Sequence, residues 1–167
     1  MTGSQQLRID AKHALRRLAS SVSVVTCRHG GRNFAMTATA VSALSMEPPS
    51  MLVCVNRAAA FHAALSETDA FAINVLSRAH VGISRLCSGE AKGESRFGVG
   101  RWETRAPAPV LADAQAAIIC RKDTELDYGT HTIFMGRILS IATNGEVDPL
   151  IYVDGRYTGR AAEEVAA

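Results

Sequence analysis

The chain has 167 residues, of which 47% are apolar and 20% charged, and a formal net charge of +2. That length fits one folding unit burying roughly 70% of its unfolded surface, and the composition excludes a disordered, collagen-like or coiled-coil chain. The small net charge excludes a protein built mainly for non-specific binding to nucleic acid or to an anionic membrane; any anion site must be local, and the fifteen Arg against three Lys supply planar donor forks for one.

In chain order, the first predicted element is a helix over residues 10–21, capped by Asp10, with Ala11, Ala14, Leu15 and Leu18 recurring at i, i+3, i+4 and i+7. Arg16 and Arg17 before an apolar run superficially resemble an export signal, but the helical spacing makes them a solvated face. The sequence has no apolar leader region and no run of about 18 apolar residues that could span a bilayer, so no membrane partner is expected. Residues 22–27 form a β-branched strand, and His29-Gly30-Gly31 marks a hairpin turn into the next. That second strand, residues 35–45, is small throughout, with Thr37, Thr39 and Val41 on one face, which leaves room beside it. Glu47-Pro48-Pro49 stops it, and residues 51–56 begin another apolar strand.

Residues 58–67 have the spacing of a short helix that buries Phe61, Ala64 and Leu65; residues 71–76 return to strand, and residues 79–87 are helical again. Residues 89–109, rich in Gly, charge and Pro around Trp102, form a long excursion. Strands over 116–122, 131–142 and 149–153, with turns at Asn144-Gly145 and Asp154-Gly155, complete a barrel region of about 22–157, and a flexible tail is expected over 158–167. Strands outnumber helices and do not alternate with long ones, so the predicted fold class is mainly β with peripheral helices: one domain over 1–167, a closed or split antiparallel barrel. Cys27, Cys54, Cys87 and Cys120 lie about thirty residues apart with no C-x-x-C, which predicts no metal cage. Cys27, Cys54 and Cys120 sit in strand-like runs and read as buried reduced thiols, which predicts a reducing compartment, the cytoplasm.

No P-loop, H-E-x-x-H or G-x-S-x-G occurs, and Gly98-Val-Gly100 lacks the third glycine of a dinucleotide fingerprint. Two features remain. The first is the small-residue strand from Met36 together with Val55-Asn56-Arg57-Ala58-Ala59, whose hydroxyls, amide, backbone N–H groups and guanidinium suit a phosphorylated, polyhydroxylated ligand. The other reading is a tightly packed Thr/Ala strand with Asn56 a turn residue. The second feature is His131, which enters a strand directly after the Gly129-Thr130 turn; it is either a functional imidazole or a satisfied strand-end residue.

Taken in order, Val22-Ser-Val-Val-Thr26, Ala35-Met-Thr-Ala-Thr-Ala-Val-Ser-Ala-Leu-Ser-Met-Glu-Pro-Pro49, Met51-Leu-Val-Cys-Val-Asn-Arg57, Phe71-Ala-Ile-Asn-Val-Leu-Ser77, Arg96-Phe97, His131-Thr-Ile-Phe-Met-Gly-Arg137 and Pro149-Leu-Ile-Tyr-Val-Asp-Gly-Arg-Tyr157 resemble the flavin reductase family. These are the short reductases that supply reduced flavin to two-component monooxygenases. The resemblance runs from about Ala14 to Tyr157. It implies an antiparallel, Greek-key split β-barrel of the FMN-binding type, a homodimer, that transfers a hydride from NADH or NADPH to FMN or FAD and passes reduced flavin to a separate oxygenase. It places Met36, Thr37, Ala38, Thr39, Ala40 and Ser42 along the flavin and Asn56, Arg57 and Ala58 near the ribityl-phosphate, with Phe61 also among the cofactor-binding residues. It also sets Phe97 against a ring, His131 on the nicotinamide side, and Gly155, Arg156 and Tyr157 over the dinucleotide. The chain departs from the family pattern at Gly129-Thr130-His131, where Gly-Asp-His is usual, and at Ser20-Ser21 and Glu47-Pro48-Pro49. A non-catalytic flavin-binding protein, or a reductase or oxidase with a non-flavin acceptor, would use the same barrel.

Overall fold

The computed structural model describes residues 3–104 and 107–159. β-Branched runs separated by turns fold into a seven-stranded antiparallel sheet made of β2 (Ser23–His29), β3 (Arg32–Ala38), β4 (Val41–Met46), β5 (Pro49–Asn56), β6 (Ala70–Val75), β9 (Ala116–Tyr128) and β10 (His131–Thr143). The spatial order is β3-β2-β6-β9-β10-β5-β4. Its two edge strands, β3 and β4, are consecutive in the chain and joined by just Thr39 and Ala40. The sheet therefore curls until its edges approach, although no ladder between them closes it among the described residues. The long strands β9 and β10 make the curl possible. The β9–β10 register shifts twice, at Met135/Gly136, where Asp123 is the extra residue on β9, and at Ile138/Ser140, where Leu139 is the extra residue on β10; β10 pairs with β5 along its first half and with β9 throughout.

The curl encloses one core. Val25, Val53, Val55, Phe71, Ile73 and Phe134 meet inside it, and α2 (Ala60–Ser66) closes one end with Phe61, Ala64 and Leu65. A second core, including Val22, Val24, Leu76, Ile83, Leu111 and Leu150, forms on the outer face of β2 under α3 (Val81–Arg85), β7 (Trp102–Glu103) and β8 (Val110–Leu111). β2 is thus covered on both sides, which is why residues 22–27 are buried without alternation, Ser23 and Thr26 included. A separate small sheet, β1 (Ser20–Ser21), β11 (Ile151–Val153) and β12 (Arg156–Thr158), lies beside it.

Several expectations change. The first helix, α1, spans Gly3–Leu15 instead of 10–21, and Asp10 lies inside it, accepting a hydrogen bond from Gln6 Nε2 at 2.8 Å. No residue of α1 is buried, so its apolar spacing is not a core-facing stripe, and residues 20–21 pair with β11 as strand. The strand expected over 35–45 breaks at Thr39-Ala40, where the chain passes from one sheet edge to the other. Of the tail expected over 158–167, Thr158 ends β12 and residues 160–167 lie outside the described residues. The four cysteines are free, with Cys27, Cys87 and Cys120 buried and Cys54 half-buried. Among the described residues no cluster of metal-ligating side chains occurs, and no helix is long and apolar enough to cross a membrane.

Candidate functional site

The edge of β3 faces a groove. Asn33 N–H donates to Glu94 Oε1 at 2.8 Å and the Ala35 carbonyl accepts from Arg96 Nη1 at 2.5 Å, so odd-numbered residues turn their backbone groups toward the free edge. By the two-residue alternation Thr37 shares that orientation. Its hydroxyl donates to the Ser84 carbonyl at 2.6 Å, while Ser84 Oγ and the Tyr157 hydroxyl share a hydrogen bond of 2.9 Å. Tyr157 stands edge-to-face with Tyr152, ring centroids 5.4 Å apart. Thr37, Thr39, Tyr152 and Tyr157 line a cavity of about 220 Å³. Thr39 and Tyr152 continue into an open groove of about 700 Å³ walled by Ala40, Leu15, Arg16 and Gly155. That is the size range of pockets for small organic ligands and cofactors.

One wall of the groove is latched. Arg16 Nε donates to Asp154 Oδ1 at 2.8 Å and Arg16 Nη2 to the Asp154 carbonyl at 3.1 Å, while Asp154 N–H returns to the Arg16 carbonyl at 2.9 Å. The hydrogen bond from Arg16 holds the Asp154 carboxyl below the usual carboxylate range. Asp154 and Gly155 both take positive φ, +49° and +78°, to turn β11 back into β12. These three bonds join the residue that follows α1 to the turn over the groove.

A second set of groups meets at the corner of β5 and β10. Asn56 and His131 are Cα partners across the ladder. Asn56 Oδ1 accepts from Ala58 N–H at 2.9 Å and its carbonyl from Ala59 N–H at 3.0 Å, an Asx-type turn. Arg57 N–H donates to the Thr130 carbonyl at 3.0 Å, and its Nη1 to Asp127 Oδ2 at 3.2 Å. His131 is exposed. The Thr132 hydroxyl donates to Asp127 Oδ1 at 2.5 Å and lies 2.8 Å from His62 Nε2. The Thr132 hydrogen bond, followed by the Arg57 charge, holds the Asp127 carboxyl low. This corner is tied to the groove, since Cys54 N–H, two residues before Asn56, donates to the Ala40 carbonyl at 3.0 Å.

The structure thus brings Thr37, Thr39, Ala40, Gly155 and Tyr157 to one groove, and Asn56, Arg57 and His131 to a corner joined to it. Met36 is half-buried and Ala38 buried against the inner core, beneath the groove. Phe61 is 2% exposed and works as core. Phe97 packs edge-to-face on Trp102 at 5.1 Å against the outer core. Ser42 is exposed and donates to the neighbouring Ala43 carbonyl, Ala58 is exposed beside Arg57, and Arg156 is exposed in β12. Sequence reading missed Tyr152, Ser84, Arg16, Asp154, Asp127 and His62. Ser84, Arg16, Asp154, Asp127 and His62 each reach the site through a partner at least 47 positions away, although Asp127 also meets Thr132 five residues on, and Tyr152 reaches it through Tyr157, five residues on.

A family model described as flavin reductase like domain matches residues 15–161. The chain is 36% identical over 156 residues to the reductase component of the FADH(2)-dependent resorcinol hydroxylase of Rhizobium sp. (strain MTP-10005), covering 92% of this chain and 87% of that one. It is equally 36% identical over 156 residues to the FMN reductase (NADH) RutF of Variovorax paradoxus, covering 93% of this chain and 87% of the relative. Among solved structures, the NADH:FAD oxidoreductase of Streptomyces globisporus C-1027, in complex with NAD and FAD fragments, superposes with a TM-score of 0.85 at 25% identity, covering 93% of this chain and 94% of that one.

Proposed function

Since the chain belongs to the flavin reductase-like domain family, we propose that it is an NADH-dependent flavin reductase that reduces FMN or FAD and hands reduced flavin to a separate oxygenase. The observation that carries this reading is the open groove beside Thr37, Thr39 and Ala40, bounded by Tyr152, Gly155 and Tyr157. The names of relatives that are an NADH-dependent FMN reductase and the reductase component of a hydroxylase support the donor and the partner. In this reading the curled sheet is the family's Greek-key split barrel and 1–167 one domain. The apolar side chains left exposed on its strands, Leu44, Leu126, Leu139 and Ile141, support a homodimer. The free thiols suit a reducing compartment such as the cytoplasm.

The residues fit a flavin. A sheet edge that turns the N–H and C=O of Thr37 toward an open groove offers donor and acceptor to the amide-like edge of an isoalloxazine. When bound here, a flavin would supply the hydride-accepting chemistry, with a reduced pyridine nucleotide as donor. The chain's own contribution is placement. Residues 36–40, with Ser42, hold the flavin ring along the β3–β4 link, above the wall that Phe61 stabilises from within. Asn56, Arg57 and Ala58 hold the phosphate-bearing chain, and Phe97 backs the cavity floor. His131 positions the nicotinamide amide; hydride transfer needs no general base, so the imidazole is a positioning group. Gly155, Arg156 and Tyr157 close over the dinucleotide, where the Tyr152–Tyr157 pair excludes water.

The test is consumption of NADH at 340 nm by the purified protein with FMN, with FAD, and with neither, repeated with NADPH. Turnover that requires added flavin and favours NADH is expected. Quenching of flavin fluorescence without nucleotide oxidation would make this a flavin-binding protein instead, and turnover only with a non-flavin acceptor would reassign the acceptor.

A further inference from the structure

The Arg57–Asp127 pair lies at the surface, its side chains 51% and 62% exposed. Pairs this exposed contribute little to stability, yet this one is built with care at both ends. Asp127 uses its two oxygens separately, Oδ1 for the Thr132 hydroxyl and Oδ2 for Arg57 Nη1. Thr132 is 1% exposed. Its single proton goes to Asp127, so its oxygen accepts from His62 Nε2 at 2.8 Å. His62 in turn stands edge-on to the buried Phe134 ring, centroids 5.4 Å apart. The carboxylate is therefore anchored from the core outward and presents one oxygen to the guanidinium. Arg57 is fixed at its other end by the bond from its N–H to the Thr130 carbonyl. Using Nη1 for Asp127 leaves the Nε and Nη2 side of the fork for a phosphate.

We propose that Asp127 is a positioning residue for phosphorylated flavin: it orders Arg57 in advance, so that the enzyme prefers flavins carrying a phosphate to riboflavin. The proposal rests on the reading of residues 56–58 as the phosphate contact and assigns to Asp127, Thr132 and His62 the task of holding it. An exposed arginine that binds phosphate from a mobile state loses rotamer freedom on binding, and sparing it that loss corresponds to about threefold to tenfold in affinity.

The test compares KM for FMN and for riboflavin in the full-length wild-type, R57A, D127N and D127E proteins. An Asn keeps the size of Asp127 but has one acceptor for two donors, so it retains Thr132 and loses Arg57. We expect R57A to raise KM for FMN about tenfold or more while leaving riboflavin within about twofold. D127N should raise KM for FMN about threefold to tenfold, with riboflavin and kcat unchanged, and D127E should recover most of the loss. If R57A collapses the FMN preference and D127N leaves it intact, or raises both KM values alike, Asp127 has no such role and the proposal is wrong. If R57A itself leaves the preference unchanged, residues 56–58 do not read phosphate, and the parent assignment fails first.

Discussion

His131 Nδ1 lies 2.9 Å from the Thr130 hydroxyl, a bond that orients an otherwise exposed ring. A hydroxyl can donate or accept, so it orients the imidazole in either tautomer. The carboxylate in this corner is Asp127, and it is committed to Thr132 and Arg57. A ring held this way suits positioning. Steady-state kinetics at saturating flavin should show H131A raising KM for NADH by about tenfold, with kcat reduced less than about threefold. Loss of kcat with KM unchanged would give the ring a chemical role instead. Thr130→Val, which frees the ring but keeps it, should fall between.

The Arg16–Asp154 latch is expected to matter for nucleotide binding and hardly for folding. The folded carboxyl sits below its ordinary value of 3.8, first through the hydrogen bond from Arg16. A lowered folded value makes the stabilisation present above the ordinary value and lost as pH falls through the lowered one, so the latch holds at neutral pH and opens only in acid, below about pH 4. D154N should imitate acid at pH 7, raising KM for NADH while moving Tm less than about 2 °C, because the pair is exposed. A large drop in Tm with unchanged KM would make the latch a structural strut.

The turns and the middle strands were legible because their signals are local. His29-Gly30-Gly31 makes the β2–β3 hairpin and residues 60–66 make α2, close to where periodicity puts them. The break at Thr39-Ala40 was not legible, since both halves of residues 35–45 favour strand; what divides them is the curl of a sheet whose edges are otherwise far apart in order. α1 begins seven residues before the helix that spacing predicts, because the spacing marks a core-facing stripe and a helix with no buried face has none. The site divides the same way. Thr37, Asn56 and His131 stand in ordered motifs, whereas Asp127 gains its role from Arg57, 70 positions away, and no spacing rule reaches that far.

The thiols should report burial directly. Desolvation pushes Cys27 and Cys120 up to about 12 and Cys87 to about 11, which leaves almost no thiolate at pH 8. Cys54 is half-buried. A disulfide-exchange reagent at pH 8 should therefore titrate at most one thiol in the native protein and four after denaturation, with C54S abolishing the native signal. Rapid labelling of a second cysteine in the native state would contradict the packing of the two cores.

Gly136 is expected to be the most sensitive backbone position in β10. It faces the register shift at which Asp123 is the extra residue of β9, and a Cβ there would lie 2.6 Å from the Arg121 carbonyl and 2.9 Å from the Phe71 ring. Phe71 is fully buried in the inner core, so the ring has nowhere to retreat, and the Arg121 carbonyl belongs to the paired strand β9. Relief must come from moving β9 off β10. Gly136→Ala should then cost about 1–3 kcal/mol, read as a fall in the denaturant midpoint at constant slope. The same unbroken β5–β10 ladder that pairs Gly136 with Met51 pairs His131 with Asn56, so moving β10 should raise KM for NADH and for FMN together even at temperatures where the variant is fully folded. An unchanged midpoint would mean that β9 and Phe71 accommodate the methyl without cost and that the close approach at Gly136 is incidental.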